Sequence, residues 1–233
     1  MNLETKRIVL VNSSPKLTEE STSGLLNNLA AKQIKTAGLE IYRINVRQSL
    51  FQGKTENDFE AMLDADAMVL TFPLYVFCLP GILMRFLQDY YTFWLKQQDR
   101  VKNARVYAIV NCGFPEARIN LEAVRVIQCF SRKINSIFRF GVMIGGGGML
   151  QGAKDTPFMR KTFSQLENAF QLTMDDILNC GQAVMDNIMI TMNFPKKLYF
   201  FMGNRGWYST AKKNGLKRKD LYRKPYFQEN VNL

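Results

Sequence analysis

Short apolar runs and segments with helical spacing alternate along most of the chain. Apolar runs at residues 8–11, 67–72, 105–110 and 140–144, together with alternating apolar and polar residues at 39–46, predict five β-strands. Apolar residues recur every three or four positions across 25–34, 59–63, 82–91, 121–134 and 159–192, which predicts helices, the last of them long. Because strands alternate with helices, we expect a doubly wound parallel sheet with helices on both faces.

Polar or glycine-containing loops follow three of the predicted strands. They span residues 13–23, 73–81 and 111–116. In a doubly wound sheet, ligands bind beyond the carboxyl ends of the strands, where the strand order reverses. We therefore expect the three loops to converge on one pocket.

The first loop is rich in hydroxyl groups. Ser13, Ser14, Ser21, Thr22 and Ser23 lead into a predicted helix, whose free N–H groups and dipole favour an anion. This pattern predicts a phosphate cradle, although the same hydroxyls would also serve as an ordinary helix cap. The loop has neither the P-loop pattern GxxxxGK followed by Ser or Thr nor GxGxxG, which argues against a nucleoside triphosphatase and a dinucleotide-binding site.

The second loop is aromatic and has a proline at each end, Pro73 and Pro80. Its residues Tyr75 and Phe77 offer a surface on which a flat ring would stack, although the same rings would also pack the loop onto the core. Four consecutive glycines, 145–148, follow the fifth predicted strand near the pocket. Their conformational freedom would let the backbone approach a ligand or form a mobile flap, although the same run would also serve as a flexible connection.

The amino-acid composition limits the catalytic groups and metal ligands that the protein can use. Hydrophobic residues make up 47% of the chain and charged residues 22%, as in soluble globular proteins, and the sequence contains no histidine. The usual general base near neutral pH and the commonest metal ligand are therefore missing, so chemistry must come from a cofactor or from other side chains. The four cysteines form no CxxC pair and predict free thiols, without a metal site. No apolar run approaches the roughly 20 residues that span a bilayer, and we expect a cytoplasmic protein.

The positive charge is concentrated near the carboxyl terminus. The chain carries a formal charge of +11, and residues 196–233 alone carry ten bases and two acids, a net charge of +8. The ten bases are Lys196, Lys197, Arg205, Lys212, Lys213, Lys217, Arg218, Lys219, Arg223 and Lys224. We therefore divide the chain into a domain, 1–190, and a basic, aromatic-rich extension, 191–233.

Three kinds of partner suit this extension: a second subunit, an anionic membrane surface or a nucleic acid. We expect it to pack on the domain or on a second subunit through Phe200, Phe201 and Trp207, since exposed aromatic residues would otherwise form an apolar patch. On this interpretation the protein is a homo-oligomer, its contact with anionic membranes is weak, and nucleic acid is not a partner.

Two motifs resemble one known family. Ser14-Pro15-Lys16 followed by Ser21-Thr22-Ser23 is similar to the phosphate loop of the NAD(P)H-dependent FMN reductases, and Phe72-Pro73-Leu74-Tyr75 with Leu79-Pro80-Gly81 resembles the flavin-ring loop of that family and of the related quinone reductases. The resemblance covers roughly residues 5–180. It implies a flavodoxin-like, doubly wound five-stranded parallel sheet with helices on both faces, to which this chain adds its basic extension. Ser13 stands where the family usually has glycine, and Lys16 where it often has arginine.

The resemblance also implies a set of FMN-binding residues. The flavin phosphate would be held by the first loop, the ring would be lined by the second loop, and the third loop would close the other edge of the ring. These residues are Ser13, Ser14, Lys16, Ser21, Thr22, Ser23, Pro73, Leu74, Tyr75, Val76, Phe77, Asn111, Cys112, Gly113 and Phe114.

The function implied is transfer of electrons from NADH or NADPH, through FMN, to a small acceptor such as a quinone, a free flavin, or an azo or nitro compound. We expect neither a catalytic acid–base group nor a metal, because the hydride chemistry belongs to the cofactor. Two alternatives remain open at this point: a flavodoxin-like electron carrier that meets a protein partner, which the basic charge disfavours, and a binding protein without flavin.

Overall fold

A computed structural model describes residues 6–16, 21–36, 39–100, 102–152, 156–192 and 194–224. The chain forms two compact units, Met1–Met192 and Asn193–Leu233. The boundary falls after Met192, slightly beyond the division after residue 190 predicted from the sequence.

Strands and helices alternate in the first unit. The strands are β1 (Arg7–Asn12), β2 (Glu40–Asn45), β3 (Ala67–Pro73), β4 (Arg105–Asn111), β5 (Ile137–Ile144) and β6 (Ile188–Ile190). The helices are α1 (Thr22–Thr36), α2 (Val46–Gln52), α3 (Thr55–Leu63), α4 (Gly81–Trp94), α5 (Leu121–Lys133), α6 (Gly148–Gly152) and α7 (Arg160–Asn179).

The strands form one parallel sheet in the order β2-β1-β3-β4-β5-β6. The doubly wound α/β class predicted from the sequence is confirmed, but the prediction of five strands is wrong. The sixth strand, β6, pairs with β5 from Val142↔Ile188 to Ile144↔Ile190. It lies within the segment 159–192 that the apolar spacing assigned to one long helix.

That predicted helix ends early because α7 stops at Asn179. Cys180 follows in the left-handed conformation, with φ of 50°, and its N–H bonds to the carbonyl of Asp176. This conformation terminates a helix, since the next residue can no longer continue the right-handed turn.

The strand order reverses at β1, whose neighbours are β2 on one side and β3 on the other. The register brings the carboxyl ends of four strands to one level, with Asn12 opposite both Asn45 and Thr71, and Pro73 opposite Asn111. The loops that follow these strands therefore leave the sheet at the same edge, where doubly wound folds bind ligands.

Apolar side chains cover both faces of the sheet, as expected for a buried parallel sheet. On one face Val9 and Phe72 pack in a cluster with Phe86 of α4 and Ile127 of α5. On the other face the strands pack against α1 and α7 in a second cluster. Two cores thus hold the sheet edge rigid from both sides.

A buried ion pair ties the amino-terminal halves of β4 and β5 to helix α7. The register of β5 against β4 shifts between Val106 and Tyr107, and this irregularity accommodates Arg139 as an extra residue. Arg139 donates two hydrogen bonds, of 2.8 and 2.7 Å, to the carboxylate of Asp176, and Tyr107 donates a third of 2.6 Å. The network ties α7 to the middle of the sheet.

The second unit contains helix α8 (Lys196–Lys213) and a short 3-10 turn, Arg218–Tyr222. The Arg218 guanidinium lies 4.4 Å from the centroid of the Tyr208 ring, which fixes the turn on the helix. Phe200, Phe201 and Trp207 are exposed, and Ala211 is the buried residue of α8. Docking of these aromatic rings stays a prediction. Across the described residues, no helix combines the length and the apolar character needed to cross a membrane.

Candidate functional site

The first loop forms a tight turn at the end of β1. Asn12 Oδ1 accepts a hydrogen bond of 3.1 Å from the N–H of Ser14, and Ser14 Oγ accepts one of 3.4 Å from the N–H of Lys16. The N–H of Ser13 bonds to the carbonyl of Thr71 at the end of β3. These bonds hold the hydroxyl-bearing residues close to the sheet. Residues 17–20, in the middle of the predicted loop, lie outside the described residues.

Ser21 caps helix α1. Its Oγ accepts a hydrogen bond of 2.9 Å from the N–H of Gly24, and its carbonyl accepts one from Leu25. Within the described part of the chain, nothing accepts a hydrogen bond from the N–H groups of Thr22 and Ser23. A helix start whose first N–H groups have no acceptor among the described residues suits an anion, since the helix dipole adds to the attraction.

The second loop contains a strained turn at the end of β3. Tyr75 and Cys78 exchange two backbone hydrogen bonds, of 3.0 and 2.9 Å, and the two residues between them have positive φ angles, 50° at Val76 and 60° at Phe77. Positive φ is costly for a β-branched or aromatic residue, and such strain is concentrated at functional sites. The turn presents Val76 to solvent, with 94% of its surface exposed.

The second and third loops meet through an aromatic pair. The rings of Phe77 and Phe114 stack with centroids 5.7 Å apart and an angle of 17° between their planes. Phe77, Phe114 and the neighbouring Tyr75 are each about half exposed. The two loops thus present a continuous apolar surface at the edge of the sheet.

Asn111 joins all three loops. Its Nδ2 donates to Ser23 Oγ at 3.0 Å and to the backbone carbonyl of Phe72 at 3.3 Å. The backbone carbonyl of Asn111 accepts a hydrogen bond of 2.8 Å from the N–H of Leu74. The side chain is buried. The predicted convergence of the loops is therefore a property of the structure, whereas binding of FMN by them stays a prediction.

The glycine run 145–148 is not a free connection. Gly146 and Gly147 donate backbone hydrogen bonds to the carbonyls of Phe114 and Cys112, and the carbonyl of Gly147 accepts a bond of 3.1 Å from Thr22 Oγ1. A Cβ at Gly145 would collide with the carbonyl of Pro115. The run therefore packs the third loop against α1. Four glycines in succession indicated a close backbone approach as much as flexibility.

Cys112 has a structural part in the third loop. It is buried, its Sγ lies near the carbonyls of Phe114 and Glu116, and Asn120 Nδ2 approaches the sulfur at 3.5 Å. Burial raises the pKa of this thiol, which keeps it protonated near neutral pH. Cys112 therefore shapes the loop and does not supply a thiolate.

A polar cavity of about 240 Å³ adjoins the first loop. Ser14, Lys16 and Ser21 line its near side, and Arg43 of β2 and Arg47 of α2 line its far side. Sequence reasoning missed both arginines. One lies within a strand and the other on a short helix that the apolar pattern did not indicate, so nothing local marked them as parts of a site.

The fold and the placement of the loops can now be compared with known proteins. Residues 6–141 match the model of a family described as having a flavodoxin-like fold. The chain belongs to the flavodoxin-like fold family. In folds of this strand order, ligands bind outside the carboxyl ends of the strands, at the switch point between β1 and β3. None of the curated proteins matches the chain.

Solved structures agree with this assignment. An NADH:FMN oxidoreductase, solved in its apo form, is 18% identical, with a TM-score of 0.53 over 72% of this chain and 90% of its own. A general stress protein 14 from Treponema denticola, in complex with FMN, is 13% identical, with a TM-score of 0.53 over 76% of this chain and 99% of its own. An NAD(P)H:quinone oxidoreductase from Methanothermobacter marburgensis is 12% identical, with a TM-score of 0.54 over 72% of this chain and 96% of its own. At these identities the likeness is one of fold, and it confirms the resemblance to flavin and quinone reductases at that level.

Proposed function

We propose that this protein is an FMN-dependent oxidoreductase that passes electrons from NAD(P)H to a small acceptor such as a quinone, a free flavin, or an azo or nitro compound. One observation carries the proposal. A cradle suited to an anion and an exposed aromatic surface lie at the same sheet edge, tied together by the buried side chain of Asn111.

The cradle fits a single phosphate. The N–H groups of Thr22 and Ser23 would donate to phosphate oxygens, and Lys16 would add a positive charge beside them. Ser13 Oγ is buried and has no hydrogen-bond partner within the described residues, so a bound phosphate would supply the acceptor that it lacks. These donors suit FMN, whose phosphate is terminal.

The aromatic loops fit a flavin ring. Tyr75 and Phe77 after β3 and Phe114 after β4 offer flat apolar surface on which a ring would stack. The hydrogen bonds that fix both loops to the sheet keep this surface in place, so little conformational entropy would be lost on binding.

The residues of this chain would position the reaction and exclude water from it. FMN held by these residues would supply the hydride and electron-transfer chemistry, and the chain would supply its position and surroundings. This agrees with a site that contains no histidine. The exposed turn at Val76 borders the apolar surface and would contact whichever ring, nicotinamide or acceptor, approaches the flavin.

The test is anaerobic reduction of the purified, flavin-loaded protein. NADH or NADPH is expected to bleach the flavin absorbance at about 450 nm, and a quinone or azo dye is expected to restore it. A protein that holds flavin but is bleached by neither nucleotide would support the electron-carrier alternative and contradict the proposal.

The geometry suggests two variants for this test. Val76→Asp places a charge beside the apolar surface, and Val184→Asp, at another residue that is almost fully exposed, serves as the matched control. We expect the first variant to lower the rate of flavin reduction and the second to leave it unchanged.

A further inference from the structure

The cavity beside the first loop is cationic at the end that lies away from the flavin-ring loops. The described residues that line it include three cations, Lys16, Arg43 and Arg47, and no carboxylate. The remaining lining is rich in amides, including Asn45 and Gln48. A polar concave site with unbalanced positive charge suits a phosphorylated ligand.

Each of the two arginines has one contact that holds it in place, and the other donors of its guanidinium have no acceptor among the described residues. Arg43 Nη1 donates a hydrogen bond of 2.8 Å to Asn28 Oδ1, and the Arg47 guanidinium lies 5.4 Å from the centroid of the Phe51 ring. A guanidinium has five N–H donors, and stacking on a ring uses none of them. Within the part of the chain that the structure describes, each arginine therefore has donors for an anion in the cavity.

The position of the cavity is set by the strand order. It lies between the carboxyl ends of β1 and β2, whereas the aromatic loops follow β3 and β4 on the other side of β1. From β4 to β2 there are three strand intervals, about 14 Å in all at the usual spacing. Its near side shares Ser14, Lys16 and Ser21 with the phosphate cradle. A ligand that reaches from the flavin ring to Arg43 must therefore extend past the flavin phosphate.

We infer that this cavity binds the 2′-phosphoadenosine end of NADPH through Arg43 and Arg47, which makes NADPH the preferred reductant. The inference rests on the proposed function and goes further by naming the nucleotide. The terminal 2′-phosphate of NADPH provides the charge that the two arginines complement. NADH has a neutral hydroxyl at that position, and the adenosine half of FAD would likewise place a neutral ribose there.

The experiment compares NADPH with NADH as reductants of the flavin-loaded full chain. We expect KM for NADPH to be at least about tenfold lower than for NADH, the effect of roughly one charge-assisted hydrogen bond. Arg43→Gln and Arg47→Gln should each raise KM for NADPH about tenfold and leave KM for NADH unchanged. Arg132→Gln, at an exposed position on α5, is the matched control and should change neither.

Direct binding separates this inference from the proposed function. Calorimetry with adenosine 2′,5′-bisphosphate and with 5′-ADP requires no turnover, and we expect the first to bind more tightly and to lose that advantage in Arg47→Gln. Equal KM values for the two nucleotides, equal binding of the two probes, or FAD as the resident flavin would overturn the inference. Selective probe binding without reduction by either nucleotide would support the cavity assignment and overturn only the proposed function.

Discussion

Substitution of Ser14 tests the phosphate cradle. Ser14 is buried at the turn after β1, where its Oγ accepts from the N–H of Lys16. In Ser14→Asp a carboxylate would stand beside the flavin phosphate. Two unit charges about 4 Å apart repel each other by roughly 4 kcal/mol at an effective dielectric constant near 20. Allowing for relaxation and for the nearby lysine, we expect FMN affinity to fall at least about a hundredfold, which corresponds to 2.7 kcal/mol or more.

The assay is titration of the flavin-free protein with FMN, followed by quenching of flavin fluorescence. Ser164→Asp is the control, because Ser164 is exposed on α7 and away from the loops. Ser131 on α5 is unsuitable, since it is buried and its Oγ donates to the carbonyl of Ile127. Thermal melts of both variants would show that the fold is intact. If Ser14→Asp binds FMN as tightly as Ser164→Asp does, the first loop does not hold the phosphate.

Three further predictions concern regions away from the cradle. Asp176→Asn should lower the free energy of unfolding by about 3 kcal/mol or more, because it breaks a buried ion pair; chemical denaturation measures this. Burial raises the pKa of Asp176, but hydrogen bonds from Arg139 and Tyr107 outweigh it and lower the pKa overall. The carboxylate therefore stabilises the fold fully above about pH 4, and this stabilisation is lost as the pH falls through the folded-state pKa. The free energies of unfolding of wild type and variant should accordingly become equal in acid. The hydrogen bond from Lys6 lowers the pKa of exposed Cys180, whereas burial raises the pKa of Cys112. Iodoacetamide should therefore alkylate Cys180 well before Cys112, and Lys6→Met should slow the reaction at Cys180. Equal labelling rates at the two cysteines would contradict this. A chain truncated after Pro195 should have a lower melting temperature or a different oligomeric mass than the full chain. The full chain should bind anionic vesicles only weakly and in a salt-sensitive manner. If truncation leaves the melting temperature and the mass unchanged but abolishes vesicle binding, the extension is a recognition element instead.

The elements with strong periodicity could be predicted from the sequence. The strands β1, β3 and β4 are buried on both faces and appear as continuous apolar runs, and the apolar spacing of α4 marks its buried stripe. The loop positions followed from the ends of these strands. Convergence of the loops then required only the general rule that parallel strands end at one edge.

The elements that were missed depend on tertiary contacts. Strand β6 has three residues, too few to show a period, and exists because β5 offers it a partner. The end of α7 depends on the left-handed conformation of Cys180, which a non-glycine residue seldom adopts. Helix α8 has aromatic residues on several faces and no apolar stripe, so the basic extension gave no helical signal.

The site shows the same division. The hydroxyl-bearing and aromatic residues of the site could be predicted from their type and their position at the ends of strands. The bond from Asn111 to Ser23 joins residues 88 positions apart, and Arg43 and Lys16 line one cavity only because β1 and β2 are neighbours in the sheet. Pairings of this kind arise from the strand order, which the spacing of residues along one chain does not encode.

Identification of the bound cofactor tests the central claim most directly. The purified chain is denatured, and the released small molecules are identified by mass spectrometry and quantified against the protein. We expect FMN at close to one molecule per chain after loading, because the cradle at the start of α1, which Ser21 caps, suits one terminal phosphate. Recovery of FAD alone, or failure to retain any flavin after incubation with FMN, would contradict it.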